Sequence, residues 1–247
     1  MIARVVRILE AFGPDRTTLR PSELARRAGL APSTSHRIVG ELLDEGLLER
    51  DSGGELRIGI RLWELTTRGS RALALRQLAL PFMVQVQAQV REHTQLSIRE
   101  GDEVLYLERL SGKGAPSNLA RIAGRLPLHA SSSGLVFLAA ADPAFVDELL
   151  ARPLAKLAPE TITDPSTLRR KLAEVRALGH AIAPGSIEAI ATGIAVPIPL
   201  GRDRGVGALS LVVPRDRADG AELARVLKQA ARGIADAVAA RDALGLD

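Results

Sequence analysis

Ser33-Thr34-Ser35-His36-Arg37 is a polar run placed directly behind Pro32 and ahead of Ile38, Leu42 and Leu43, which recur at helical spacing. Small hydroxyls admit close approach to a phosphate, and an arginine spans a phosphate or the acceptor edge of a guanine. Far downstream, Leu126-Pro127-Leu128-His129-Ala130-Ser131-Ser132-Ser133-Gly134 runs from a strand pattern into a helix start. A helix N-terminus offers unpaired N–H groups and a positive dipole, so the three serines there fit an anion site as well as a simple cap. His129 beside the serines raises the question of hydrolytic chemistry. The chain has no Gly-x-Ser-x-Gly elbow, however, and no motif supplies an acid to orient His129. The four His, at 36, 93, 129 and 180, lack metal-site spacing, and there is no Cys for a disulfide or a thiolate zinc site. The residues thus assign no catalytic group, no metal and no cofactor.

The first polar run needs elements that present it. Leu24, Ala25 and Ala28 line one side of a short helix, and Gly29 supplies the positive φ that ends it. Leu30 drops between this helix and the next, and Pro32 suits the next helix's first turn, where a missing N–H costs nothing. Ser22 is the predicted N-cap of the pair. Val5, Val6, Ile8, Leu9 and Phe12 make a preceding helix that stops near Gly13-Pro14. Leu47-Leu48-Glu49-Arg50 and Glu55-Leu56-Arg57-Ile58 flank Asp51-Ser52-Gly53-Gly54, whose turn residues suit a hairpin. Helix, turn, helix and wing in this order form a DNA-reading module. Its candidate contacts are Arg27, Ser33, Thr34, Ser35, His36, Arg37 and, on the wing, Arg57.

Bulk charge does not decide the matter, since the net charge is +4 and residues 1–75 hold 12 Arg against 10 acids. Local segregation does. Arg16, Arg20, Arg26, Arg27 and Arg37 face only Glu23 within their span, and Glu41, Asp44, Glu45 and Glu49 follow it. That order makes one basic face on a near-neutral domain.

From residue 60 to 93 the pattern is helical, through Leu62, Leu65, Leu73, Leu75, Leu78 and Leu80, with Pro81 predicted to break or kink it. The first half reads as a linker helix, with Trp63 as an anchor between it and the winged domain. Apolar residues on more than one face between Leu73 and Phe82 predict burial against a partner subunit. Beyond Thr94 the period changes: 95–99, 103–109, 118–122, 190–200 and 205–214 read as strands. Helices are predicted over 131–140, from Pro143, from Asp164-Pro165 to Gly179, and over 221–244. Strands grouped in an antiparallel sheet with helices outside give an α+β class. The domain reading is 1–60 for the winged helix, 61–80 for the linker helix and 81–247 for the sheet domain. No apolar run approaches the roughly 20 residues that span a bilayer, and the first seven residues alternate charge with apolar groups. The expectation is a cytoplasmic chain with no membrane partner.

As a whole the chain resembles the isocitrate-lyase-regulator (IclR) family of bacterial transcription regulators. Arg4-Val5-Val6-Arg7-Ile8-Leu9-Glu10, Ser22-Glu23-Leu24-Ala25-Arg26-Arg27-Ala28-Gly29-Leu30, Ser33-Thr34 with His36-Arg37, and Asp102-Glu103-Val104-Leu105-Tyr106 carry the likeness. More telling are Arg125-Leu126-Pro127-Leu128-His129-Ala130 and Thr161-Ile162-Thr163-Asp164-Pro165. The resemblance implies a winged-helix domain that binds double-stranded operator DNA, a linker helix, and a GAF-like domain that binds a small-molecule effector. It also implies a homodimer or a dimer of dimers. It places the effector pocket on Asn118, Leu126, Ser132, Ser133, the 183–193 loop with Ala183 and Gly193, and Ser210; the helix start adds Ser131, and Glu188 is a further polar candidate in the loop. The chain departs from the family pattern at Ala183-Pro184, where acids are common, at Gly193, where Cys is common, and at Leu135, where Lys is common. That less polar wall favours a larger or partly apolar effector. Two rival readings stand beside this one: a metabolite-binding enzyme carrying a winged helix, and an architectural DNA-binding protein with no effector. The missing catalytic constellation weighs against the first, and the serine-rich helix start against the second.

Overall fold

Ile8, Leu24, Ile38, Val39 and Leu42 meet in one core because three helices each turn an apolar face toward it. These are α1 (Ile2–Glu10), α2 (Pro21–Arg27) and α3 (Pro32–Asp44). A small antiparallel sheet of β1 (Thr18–Leu19), β2 (Leu48–Arg50) and β3 (Leu56–Ile58), in the order β1-β3-β2, closes the core with Leu19, Leu48 and Leu56. Helix α4 (Ile60–Thr67) follows the wing. In this computed structural model, which describes residues 1–13, 16–112, 122–201, 205–217 and 219–243, these elements lie in a first compact unit, Met1–Ser70.

The second unit, Arg71–Asp247, begins with α5 (Arg71–Val90) and continues through β4 (His93–Glu100), β5 (Glu103–Leu110), β6 (Arg125–Pro127), α6 (Ser132–Ala140), α7 (Pro143–Leu150) and α8 (Pro165–Leu178). It ends with β7 (Ala181–Pro184), β8 (Ala191–Pro199), β9 (Val206–Pro214) and α9 (Gly220–Ala243). The six strands form one antiparallel sheet in the order β6-β5-β4-β9-β8-β7. Period-two alternation sorts its side chains. Leu96, Ile194, Val196, Leu209 and Leu211 pack against α5 and α9, while Val104, Tyr106, Ala195 and Ala208 face the core shared with α6, α7 and α8. The small residues on that second face let α6 lie close to the strands. The α+β class stands, with a winged helix-turn-helix ahead of a helix-flanked sheet.

Three local expectations change. The linker is not one helix over 61–80: α4 stops at Thr67, whose hydroxyl, like that of Thr66, bonds a carbonyl three residues back. Such back-bonding competes with the helical ladder, and Gly69 follows. Pro81 lies inside α5 without ending it. It removes one ladder bond, and the burial of Leu75, Ala79, Met83 and Val86 outweighs that loss. Part of the apolar Leu73–Phe82 stretch finds partners within the unit: Leu75 and Ala79 are in the core, Leu78 and Phe82 pack on it, and the Phe82 ring leaves no room for a Cβ at Gly233 of α9. Finally, α2 starts at Pro21 with Arg20 as its N-cap residue, so Ser22 is inside the first turn. Among the described residues no helix is long and apolar enough to cross a membrane.

Candidate DNA-recognition and effector sites

Gly29, at φ +60, ends α2, and the Leu30 N–H returns to the Ala25 carbonyl, turning the chain into α3. Because Ile38, Val39 and Leu42 bury one face of α3, residues at neighbouring angles are carried outward: Ser33, His36 and Arg37 are exposed and Thr34 half-buried. Ser35 is the exception. It falls on the buried face, only 2% exposed, so it packs inward and is not available to DNA. Arg27 donates to the Ala11 carbonyl at 2.8 Å and ties α2 to the end of α1. Arg37 is exposed, paired with Glu41 one turn along, and reaches Met1 Sδ at 3.6 Å.

On the wing, the Asp51 carboxylate accepts the N–H groups of Gly53 and Glu55 and shapes the tip. Arg57 is exposed on β3, doubly bonded to the Glu49 carboxylate at 3.0 and 2.9 Å. The other oxygen of Glu49 accepts the Ile60 N–H at the start of α4. That backbone N–H, with Arg57 second, holds the Glu49 carboxyl below the usual range.

In the second unit the sequence from Arg125 to Gly134 builds one wall of a pocket. β6 pairs with β5, which brings Leu126 opposite Val104. Next, His129 Nε2 bonds the Ala155 carbonyl at 2.8 Å and fixes the turn. Helix α6 then starts so close to this turn that a Cβ on Gly134 would fall inside contact distance of the Leu128 carbonyl. Ser131 caps α6, accepting the Gly134 N–H at 3.0 Å. That leaves the N–H groups of Ser132 and Ser133 as the outward donors of the helix start. Gly193 on β8 faces them: a Cβ there would lie 2.8 Å from Ser132 Oγ, so the glycine makes the space that Ser132 occupies.

The cavity between this helix start and the sheet is about 50 Å³. Leu126, Ser131, Ser132, Ala183, Glu188 and Gly193 line it. Ser133 is buried beside it, and Ser210 does not line it but bonds Gln95, which does. Asn118 lies outside the described residues. Pro184 is exposed, so only Ala183 contributes the apolar wall of that dipeptide. Residues 181–184 are strand β7, not loop, paired with β8 through Ala183 and Gly193. Four lining residues escaped the sequence reading, Gln95, Tyr106, Ala130 and Val212, and the first two are polar. Gln95 adjoins Leu96 on β4 and Tyr106 lies between Leu105 and Leu107 on β5; the signal was a polar group beside apolar neighbours in a strand. Burial pushes the Tyr106 phenol up to about 12, against a slight lowering by the nearby Ser131 and Ser133 hydroxyls, so it stays a neutral donor.

The rim is pinned by the Thr161–Pro165 motif. Thr161 Oγ1 accepts the Leu157 and Ala158 N–H groups and donates to the Ser186 carbonyl at 2.6 Å. Arg215, paired with Glu160, donates to the Ala189 carbonyl at 3.2 Å. Asp164 caps α8. The Ser166 and Thr167 hydroxyls, then the Thr167 N–H, hold its carboxyl down to about 2.

Residues 1–52 match the IclR helix-turn-helix domain, and residues 70–240 match the bacterial transcriptional regulator IclR C-terminal domain. The HTH-type transcriptional regulator XynR of Escherichia coli is 30% identical over 230 residues, 92% of this chain and 91% of that protein. A crystal structure of an IclR homolog complexed with 4-hydroxybenzoate, from Microbacterium hydrocarbonoxydans, is 53% identical, with a TM-score of 0.92 over 97% of this chain and 99% of that one. An IclR homolog from Microbacterium sp. strain HM58-2 is 52% identical, with a TM-score of 0.63 over 95% and 96%.

Proposed function

Because this chain belongs to the IclR family of bacterial transcriptional regulators, we propose that a single-ring aromatic carboxylate controls its hold on operator DNA. DNA binding by the helix-turn-helix domain and effector binding by the C-terminal domain come with the family; the chemistry of the effector is our reading. The observation that carries it is a cavity with a helix start on one side and Leu126, Ala183, Ala191 and Val212 among its walls. A carboxylate suits the Ser132 and Ser133 N–H groups, and a flat ring suits the apolar walls. The 4-hydroxybenzoate complex of a 53% identical protein supports this choice. Binding, not turnover, is the pocket's role.

Ser33, Thr34, His36 and Arg37 are our candidate contacts to the operator, with Arg57 on the wing meeting phosphate. The working unit is a homodimer or a dimer of dimers in the cytoplasm. Among the described residues none of α4 is buried, and Ile60 and Trp63 are each 63% exposed. An eight-residue helix has too few turns to persist alone, so a second copy covering this face accounts for it. The signal leaves the pocket along β5: Glu108, two residues beyond Tyr106, is buried and pairs with Arg76 of α5 at 2.6 Å. An effector shifts operator affinity only by its preference for one arrangement over the other.

Calorimetry of the full chain against 4-hydroxybenzoate, followed by gel shifts on the DNA upstream of its own gene with and without that acid, tests the proposal. We expect saturable heat and a changed operator affinity. No heat and no change would refute it.

A further inference from the structure

We propose that Gln95, held by Ser210, is the specificity element of the effector pocket and selects ring acids with a hydrogen-bonding group remote from the carboxylate. This rests on the reading above that the pocket takes a ring carboxylate at the start of α6.

Gln95 lies in the middle of the sheet, on β4, and is 2% exposed. Its neighbour Leu96 points to the opposite face, into the core under α5 and α9, so Gln95 is turned toward the α6 side, where it lines the cavity. The antiparallel register sets it directly opposite Ser210 of β9. Ser210, itself buried, donates its hydroxyl to Gln95 Oε1 at 3.3 Å. The carbonyl end of the amide is thereby used, and Nε2 has no partner among the described residues. A buried amide donor normally has an acceptor, and here it lines a cavity.

The two polar sides of the cavity have different origins. Ser131 and Ser132 belong to the helix start, whereas Gln95 belongs to the sheet, with Val212, Ala191 and Ala183 as apolar lining. The carboxylate goes to the helix start, where two N–H groups and the dipole favour charge. The Gln95 amide carries no charge and offers one N–H, so it suits a neutral oxygen such as a phenol. An unsubstituted ring would cover Nε2 without satisfying it. A site built to hydrogen-bond a hydroxyl rejects the analogue that lacks it far more strongly than an apolar pocket rejects a missing methyl group.

The test is calorimetry on the full chain with 4-hydroxybenzoate, benzoate and 4-methylbenzoate, using wild type, Gln95→Met and Ser210→Ala. Wild type should bind 4-hydroxybenzoate at least about tenfold more tightly than either analogue, on the scale of one buried hydrogen bond. Gln95→Met should bring the three acids within about twofold of one another. Ser210→Ala, which frees the amide to turn, should narrow the gap without closing it. Thermal melting checks that each variant is folded, and if Gln95→Met is not, the wild-type ratio and Ser210→Ala still decide. Equal binding of the three acids by wild type overturns the role of Gln95 and leaves the ring-acid reading standing. So does an unchanged preference in folded Gln95→Met. Wild type binding none of the three overturns the ring-acid reading itself, and this inference with it.

Discussion

Gly193→Ala separates a binding defect from a folding defect. The added Cβ would lie 2.8 Å from Ser132 Oγ and 3.2 Å from Ser132 Cβ. The first contact is too short to persist, but it involves the end of a short side chain that can turn about χ1. The second asks for a shift of a few tenths of an ångström. Overpacking by one methyl group costs about 1–3 kcal/mol, and the low end applies because Ser132 can yield. In the proposed site the Ser132 hydroxyl stands beside its N–H as a further donor to the carboxylate, and the turned hydroxyl leaves that place. Losing one hydrogen bond to a charged group costs about 1.5–3 kcal/mol, or roughly ten- to a hundredfold in affinity. Calorimetry with 4-hydroxybenzoate should show that loss, while the melting temperature falls by only a few degrees and operator binding without effector is retained. Gly134→Ala is the contrast: its Cβ meets the Leu128 carbonyl, backbone against backbone, and neither side can turn away. It should destabilise the whole second unit. Unchanged affinity in Gly193→Ala, with an unchanged melting temperature, would refute the placement of the carboxylate at Ser132.

Arg37→Ala should weaken operator binding by about 1–3 kcal/mol if the guanidinium reads a base, and should hardly move stability, since its pair with Glu41 is exposed; a gel-shift series with no change sinks that role. Arg57→Ala should weaken all DNA sequences alike and flatten the salt dependence, so a selective loss at one base position would contradict phosphate contact. The Asp164 carboxyl is held near 2 against an ordinary 3.8; its stabilising contribution is complete above about pH 4 and disappears as pH falls toward 2. Acid melting of Asp164→Ala should therefore lose that part of the slope, and identical acid profiles would show that the cap is not felt. Trp63→Glu should move the sedimentation of the chain at micromolar concentration toward the monomer, and an unaltered species would place the dimer contact elsewhere.

The helix-turn-helix was legible because each of its signals is local: Gly29 at positive φ, Pro32 at the first turn, and apolar residues three and four apart. Ser35 was misread because sequence spacing around Pro32 does not fix the rotation of α3 to within one residue. Only the packing of Ile38 and Val39 does, and it takes Ser35 inward with them. The linker was misread for the opposite reason. Leu62 through Leu80 keep a helical pattern, but the break depends on Thr66 and Thr67 bonding back to Trp63 and Glu64, which no periodicity reports.

The pocket shows where local reading stops. Leu126, Ser131 and Ser132 are near one another in sequence, and their motif announced a site. Gln95 comes to it only because β4 lies between β5 and β9, a strand order that joins residues 93–100 to residues 206–214. Its polarity beside Leu96 was visible, but which face it would occupy was not, since both faces of β4 are buried from His93 to Ser97 and the alternation has no wet side to mark it there. The same topology gives the Thr161 motif its meaning. Thr161 does not touch the cavity; it holds the carbonyl of Ser186, which does line it. Thr161→Val should therefore loosen the rim and raise the dissociation rate of a bound acid more than it lowers the association rate. A stopped-flow measurement in which only association slows would assign Thr161 to the entrance instead.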